Sequence, residues 1–154
     1  MITRNIALLS AGLLAFCGGI ALGDGGKSDL SGSWKVDPAR CETESVDKNL
    51  TLEIQDTAKD IHVVETRGPD AKEDVSEFTC GKLGKECKMK DGRDKAAVTV
   101  YYNGPALVVV KTNGRKGSSV EKRRYALNPA GDTLIVEVMR IDPEGKPEKL
   151  VFTK

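Results

Sequence analysis

Aromatic side chains are scarce in this chain: three Phe, three Tyr and a single Trp. A barrel that crosses a membrane needs an outward apolar band edged by aromatic girdles. So few rings, with charges interrupting most of the apolar runs, exclude that architecture. Histidine occurs once, as His62. A general base works with a nucleophile and an orienting partner in reach, and no nucleophile-elbow or metal-protease motif accompanies this one. No Gly-rich loop joins a strand to a helix, so a phosphate cradle is missing as well. The 23 acidic residues are spread along the chain, and nothing singles out one pair of carboxylates for acid–base work. These absences leave no catalytic residue to name, so the expectation is a protein that is not an enzyme and carries no cofactor. A charge excess is absent too, with a net charge of +1. Polyanion binders need a clustered basic surplus, and nucleic acid is therefore not an expected partner.

One apolar run stands out, Ile6 to Phe16, preceded by Arg4 and followed by the small residues Gly18, Gly19, Ala21 and Gly23. This order matches the tripartite secretory signal, and the run is shorter than the roughly 20 residues a membrane helix needs. A cut before Asp24 puts Ala21 and Gly23 at its −3 and −1 positions. Residues 1–23 are then a signal peptide, 24–30 a flexible Gly-rich lead-in, and 31–154 one domain, and the chain from Asp24 on holds as many basic as acidic residues. Leu14-Ala15-Phe16-Cys17 offers a second reading, a lipobox with lipid on Cys17, from which bulky Phe16 departs. Both readings export the protein, to the periplasm or the exterior, without a membrane span after cleavage. A domain of this size buries a real core.

Beyond the leader the chain alternates β-type runs with turn signals. Leu50, Leu52 and Ile54 recur at every second residue, the pattern of a half-buried strand. Ile61–Thr66, Val75–Cys80 and Glu86–Lys90 follow. In the second half come Ala96–Tyr102, Ala106–Thr112, Val120–Leu127, Thr133–Ile141 and Lys149–Thr153, separated by Asn-Gly-Pro, Asn-Pro-Ala-Gly-Asp and similar breaks. Short strands with turn signals every 8–12 residues predict a sandwich or barrel. Short connections favour pairing of consecutive strands. The expected fold is all-β: an antiparallel up-and-down meander of about 8–10 strands, closed or nearly closed into a small barrel, which removes its edges.

Of the four cysteines, Cys17 leaves with the signal, and Cys41, Cys80 and Cys87 remain. Cys80 and Cys87 flank a Gly-containing loop, and a hairpin there brings their Cα atoms within disulfide reach. Such a short loop is worth about 2–3 kcal/mol in the chain-entropy account. Cys41 is then free or intermolecular, and its pairing with Cys80 or Cys87 stays open. A zinc site from the three cysteines and His62 lacks the tight ligand spacing of structural zinc, and export favours oxidation, so no metal is expected. Among cations, Lys122-Arg123-Arg124 is the densest run, but along a strand Arg123 points opposite to its neighbours. It therefore forms no single patch, and a cross-strand acid such as Glu137 is the expected partner. Lys82, Lys85, Lys88 and Lys90 read as a solvated hairpin.

Leu30-Ser31-Gly32-Ser33-Trp34-Lys35-Val36-Asp37 resembles the opening strand of calycin barrels, the superfamily of lipocalins, fatty-acid-binding proteins and avidins. Lipocalins open with Gly-x-Trp, matched here by Gly32 and Trp34. The resemblance implies that Trp34 closes one end of a barrel beneath an arginine from a late strand, Arg140 or Arg124, the guanidinium stacking on the indole. It covers about eight residues. The second lipocalin motif, around Thr-Asp-Tyr, is missing, and one tryptophan does not make an avidin biotin site. The whole exported region also resembles small exported bacterial lipocalin-like proteins. The resulting expectation is an exported, non-enzymatic binding module holding a small apolar or amphipathic ligand in its lumen, at residues the sequence does not name. The alternatives are a module that binds an envelope protein, such as an inhibitor of an extracellular hydrolase with the Cys80–Cys87 hairpin as contact loop, or a structural barrel without a ligand.

Overall fold

The structure, a computed structural model, describes residues 28–69, 74–113 and 119–154. The expected signal peptide 1–23, with Cys17, and the first part of the expected lead-in, 24–27, lie outside the described residues. Ten strands form: β1 (Gly32–Val36), β2 (Thr51–Asp56), β3 (Asp60–Thr66), β4 (Val75–Gly81), β5 (Leu83–Asp91), β6 (Asp94–Asn103), β7 (Ala106–Asn113), β8 (Ser119–Leu127), β9 (Thr133–Asp142) and β10 (Glu148–Thr153). Each pairs antiparallel with its sequence neighbours, and β1 pairs with β10, closing the barrel. A single 3-10 turn, Pro38–Arg40, is the helical element among the described residues. No described helix is long and apolar enough to cross a membrane.

The alternation that predicts the strands also sets their register. Leu52 and Ile54 in β2, Ile61 and Val63 in β3, and Leu134, Val136 and Val138 in β9 are all buried. A slip of one residue would turn each of these rows to solvent. Tight turns keep the register. β6 and β7 are joined through Gly104 and Pro105, with Gly104 at φ 60°, a left-handed conformation that glycine adopts without steric cost.

Because the strands alternate in direction, the connections fall into two groups. Those after β2, β4, β6 and β8 are short and gather at one end, the floor. Strands β1, β3, β5, β7 and β9 end at the other end, the mouth. The packed region starts before residue 31. Leu30 is fully buried on the floor, donates its backbone N–H to Asp56 Oδ2 at 3.4 Å, and accepts the Trp34 indole N–H at 3.0 Å. The end of the expected lead-in is thus part of the core, anchored because Leu30 supplies apolar area that the floor needs.

Candidate functional site

The lumen has two halves of different chemistry. Toward the floor it is apolar, filled by residues such as Trp34, Ile61, Val100, Leu107, Leu134 and Phe152, each at most 1 % exposed. Toward the mouth, charged residues continue the same inward rows. Glu65 follows Ile61 and Val63 in β3 and is 5 % exposed. Arg123 precedes Tyr125 in β8, and only 14 % of its side chain is exposed. The guanidinium of Arg123 donates to Glu65 Oε2 at 2.5 Å and to Glu121 Oε1 at 2.6 Å. The other oxygen of Glu65 accepts from Arg67 Nε at 2.9 Å. A second set stands alongside: Asp91 accepts from Ser76 Oγ at 2.7 Å and pairs with Lys111 Nζ at 2.6 Å.

Burial pushes the Glu65 carboxyl up, but Arg123 and Arg67 outweigh it and hold the group below its ordinary value. Asp91 follows the same balance, with burial opposed by Lys111 and Ser76, and also lies below its ordinary value. Beneath this network, Val63, Phe78, Met89, Val109 and Tyr125 line a cavity of about 20 Å³. That is room for about one water. The buried apolar side chains of the floor half pack below it. Larger hollows lie outside the barrel, one of about 520 Å³ between Glu42–Glu44 and Lys146–Glu148, where Arg140 is already paired with Glu148, and Glu42 with Lys149.

The floor is closed by a third polar group. Lys82 reaches Asp56 Oδ1 and the Thr57 carbonyl, while the Tyr102 hydroxyl donates to Asp56 Oδ2 at 2.6 Å. Burial, and the Asp56 carboxylate that needs this proton, hold the Tyr102 phenol well above its ordinary value. Tyr125, raised chiefly by burial, behaves likewise. In an alkaline titration followed at 295 nm, no more than one of the three tyrosines should ionise before the protein unfolds. A second reversible tyrosinate signal from folded protein would contradict the enclosure of Tyr102 or Tyr125.

Gly32 and Trp34 lie on β1 at the floor, with Trp34 1 % exposed, and no arginine stands over the indole among the described residues. The cation over the Trp34 ring is Lys154, with Nζ 4.8 Å from the ring centroid. β9 runs from floor to mouth, so Arg140 stands at the opposite end from Trp34, with its side chain 54 % exposed and bound to Glu148 at 3.1 Å. Arg124 faces outward and pairs with Glu137 at 3.1 Å, as its alternation predicts. Gly32 has φ 145°, and a Cβ there would lie 3.1 Å from Lys154 Cε, so a side chain would crowd the lysine that caps the indole.

Cys80 and Cys87 are joined as a disulfide, Cα to Cα 5.6 Å. Cys41 is free, its sulfur 3.2 Å from the Asp37 carbonyl and 3.3 Å from Val151 N. With two of the three sulfurs bonded to each other, the zinc set considered above does not form. No group of metal-ligating side chains is found among the described residues. His62 lies on the outer wall, 2.9 Å from Glu77. The signal that sequence reasoning passed over is Glu65, whose place two residues beyond Val63 points it inward.

No family model matches this chain, and no curated protein matches it in sequence. Solved structures do match in shape. One is described as the REP1-NXSQ fatty acid transporter, with TM-score 0.61 and 12 % identity over 82 % of this chain and 96 % of that one. Another is lipid binding protein 8 of Caenorhabditis elegans, with TM-score 0.61 and 10 % identity over 82 % and 95 %. A third is the fatty-acid-binding protein of Manduca sexta, with TM-score 0.59 and 14 % identity over 82 % and 100 %. At these identities the likeness is one of fold alone.

Proposed function

We propose that this protein is a non-enzymatic binding module that takes a small amphipathic carboxylate at the mouth of its lumen. The observation that carries this reading is Arg123: an enclosed guanidinium at the head of an apolar lumen, already holding two carboxylates. A ligand carboxylate would take the place of Glu65 on Arg123, leaving Glu65 to Arg67. Its apolar part would lie among Val63, Phe78 and Val109, displacing Met89, an unbranched side chain that repacks readily. The fatty-acid and lipid binding named for the structural neighbours supports the ligand class. The small cavity argues for a short ligand, because each added methylene must displace a side chain. The barrel would work as an exported protein, with the leader removed before Asp24.

Native mass spectrometry of protein purified from its own source tests this, beside its denatured, non-reduced mass. The expected native mass exceeds the denatured one by a small-molecule increment, which disappears in Arg123→Met. The denatured mass also gives the first residue. If folded protein carries no increment and gives no heat with carboxylates of graded chain length, the reading fails. Leu83 favours a second reading. It is 88 % exposed at the tip of the disulfide-closed hairpin, the contact loop that a protein-binding module would use. Under that reading the native increment is protein-sized and is lost in Leu83→Ser.

A further inference from the structure

The barrel wall is not held the same way all round. β3 and β4 form seven ladder pairs, and β5 and β6 also form seven. Between β4 and β5 there are three, Ser76 with Asp91, Glu77 with Lys90 and Phe78 with Met89, all toward the mouth. On the floor side of Phe78 the ladder stops, although both strands run on to Gly81 and Leu83. What crosses the seam there is the Cys80–Cys87 bond, in the register the ladder would have continued. Cys80 is buried in the core, and Cys87 packs partly buried against it. Between the two cysteines, Lys82 reaches across the floor to Asp56, with its side chain 8 % and that of Asp56 5 % exposed. The disulfide ring therefore fixes the residue that plugs the floor.

We infer that the Cys80–Cys87 disulfide is a redox latch on the lower β4–β5 seam, and that its reduction opens the lumen wall there while the rest of the barrel stays folded. The reductant is a dithiol. Its thiolate attacks Cys87 Sγ, the more accessible sulfur. The S–S bond breaks, and Cys80 leaves with the electron pair and takes a proton. The second thiol of the reductant then displaces Cys87, which is protonated in turn, and the dithiol ends as a disulfide. Two electrons and two protons pass to the protein. No β4–β5 ladder pair has to break below Phe78, so what opening loosens is the floor ends of the β3–β4 and β5–β6 ladders, which hold 79–81 and 86–88. The mouth-side pairs and the mouth-side parts of the flanking ladders keep β4 and β5 in the sheet, so opening is confined to a sub-global unit. As a route for the ligand into the lumen the seam rests on the function proposed above; as a latch it does not.

Hydrogen exchange read by mass spectrometry tests the latch on the whole wild-type protein, oxidised and after dithiothreitol. The expected result is exchange at least ~10-fold faster in 79–88 on reduction, with little change in β7–β10 and reversal on re-oxidation. Unchanged exchange would mean that the backbone closes the seam unaided, and would overturn the inference. So would a loss of protection throughout, which would make the bond a support of the whole fold. Cys80→Ala with Cys87→Ala should reproduce the reduced pattern if it folds; the wild-type experiment decides if it does not. A dansyl-labelled medium-chain carboxylate, added to both forms, addresses the route. Faster uptake by the reduced form supports both readings. Local opening without uptake in either form leaves the latch standing and removes the ligand.

Discussion

Glu65→Leu is expected to cost about 3 kcal/mol, and Arg123→Met a similar amount, whereas the double substitution should return to within about 1 kcal/mol of the wild type. Breaking an enclosed ion pair leaves a desolvated charge behind, which costs about 3–5 kcal/mol. The lower figure applies here because each survivor keeps one partner: Arg123 keeps Glu121, and Glu65 keeps Arg67. Removing both charges and filling the space with apolar groups of similar size leaves no unpaired charge between them; Arg67 and Glu121 each lose a partner, but at 44 % and 20 % side-chain exposure water reaches them, and such exchanges are often neutral. Urea unfolding followed by Trp34 fluorescence measures all four proteins. Singles that each cost less than ~1 kcal/mol, adding without coupling, would mean that water reaches this pair.

Acid acts on the same group, and its sign follows from the direction of the shift. The folded Glu65 carboxyl titrates below its unfolded counterpart, whose ordinary value is 4.5. The ion pair therefore contributes its full stabilisation above that value, and the contribution is lost as pH falls through the folded one. Asp91, also held low, adds to the same acid limb. The double variant lacks the Glu65 part, so its stability should fall less steeply below pH ~4.5 than that of the wild type. This ties the stability experiment to the proposed function. The carboxylate that protonation removes from Arg123 is the one a ligand would have to replace.

The barrel wall was legible in the sequence because its information is local. Alternation by twos names the inward residues of each strand, turn residues mark where strands end, and short connections leave consecutive strands little choice but to pair. The disulfide was legible for the same reason, since Cys80 and Cys87 face each other across one hairpin. The lumen was not. Glu65 and Arg123 meet because two strands far apart in sequence face one another through the barrel, and no local pattern carries that register. The inward position of Glu65 could be read from Ile61 and Val63, but its partner could not. The partner of Trp34 was misplaced on similar grounds. The resemblance implies a late-strand arginine, but strand direction carries Arg140 to the mouth. Lys154 lies just beyond β10, whose end at Thr153 pairs with β1 next to Trp34. Whether side chains fill a lumen depends on the volumes of ten strands at once, and alternation does not contain that sum.

Trp34→Ala is the other substitution with a large expected effect, about 3–5 kcal/mol. Trp34 is 1 % exposed and belongs to the core that closes the floor. Truncation removes a large apolar group and leaves a cavity that a barrel wall pinned by β1, β2 and β10 cannot collapse to fill. Two milder changes separate the parts of this cost. Trp34→Phe keeps most of the ring volume but leaves the Leu30 carbonyl without the indole N–H, for about 1–3 kcal/mol. Lys154→Ala removes only the cation above the ring and, since Lys154 is exposed, should cost no more than ~1 kcal/mol. Thermal unfolding should rank the three accordingly, at roughly 2–4 °C per kcal/mol for a protein near this size. That order would make packing the reason for a tryptophan at this position, with the lysine as its cap. If Lys154→Ala proves as damaging as Trp34→Ala, the contact between β10 and β1 that closes the barrel depends on the cation. The Gly32 backbone beside it would then be conserving a latch rather than clearing space.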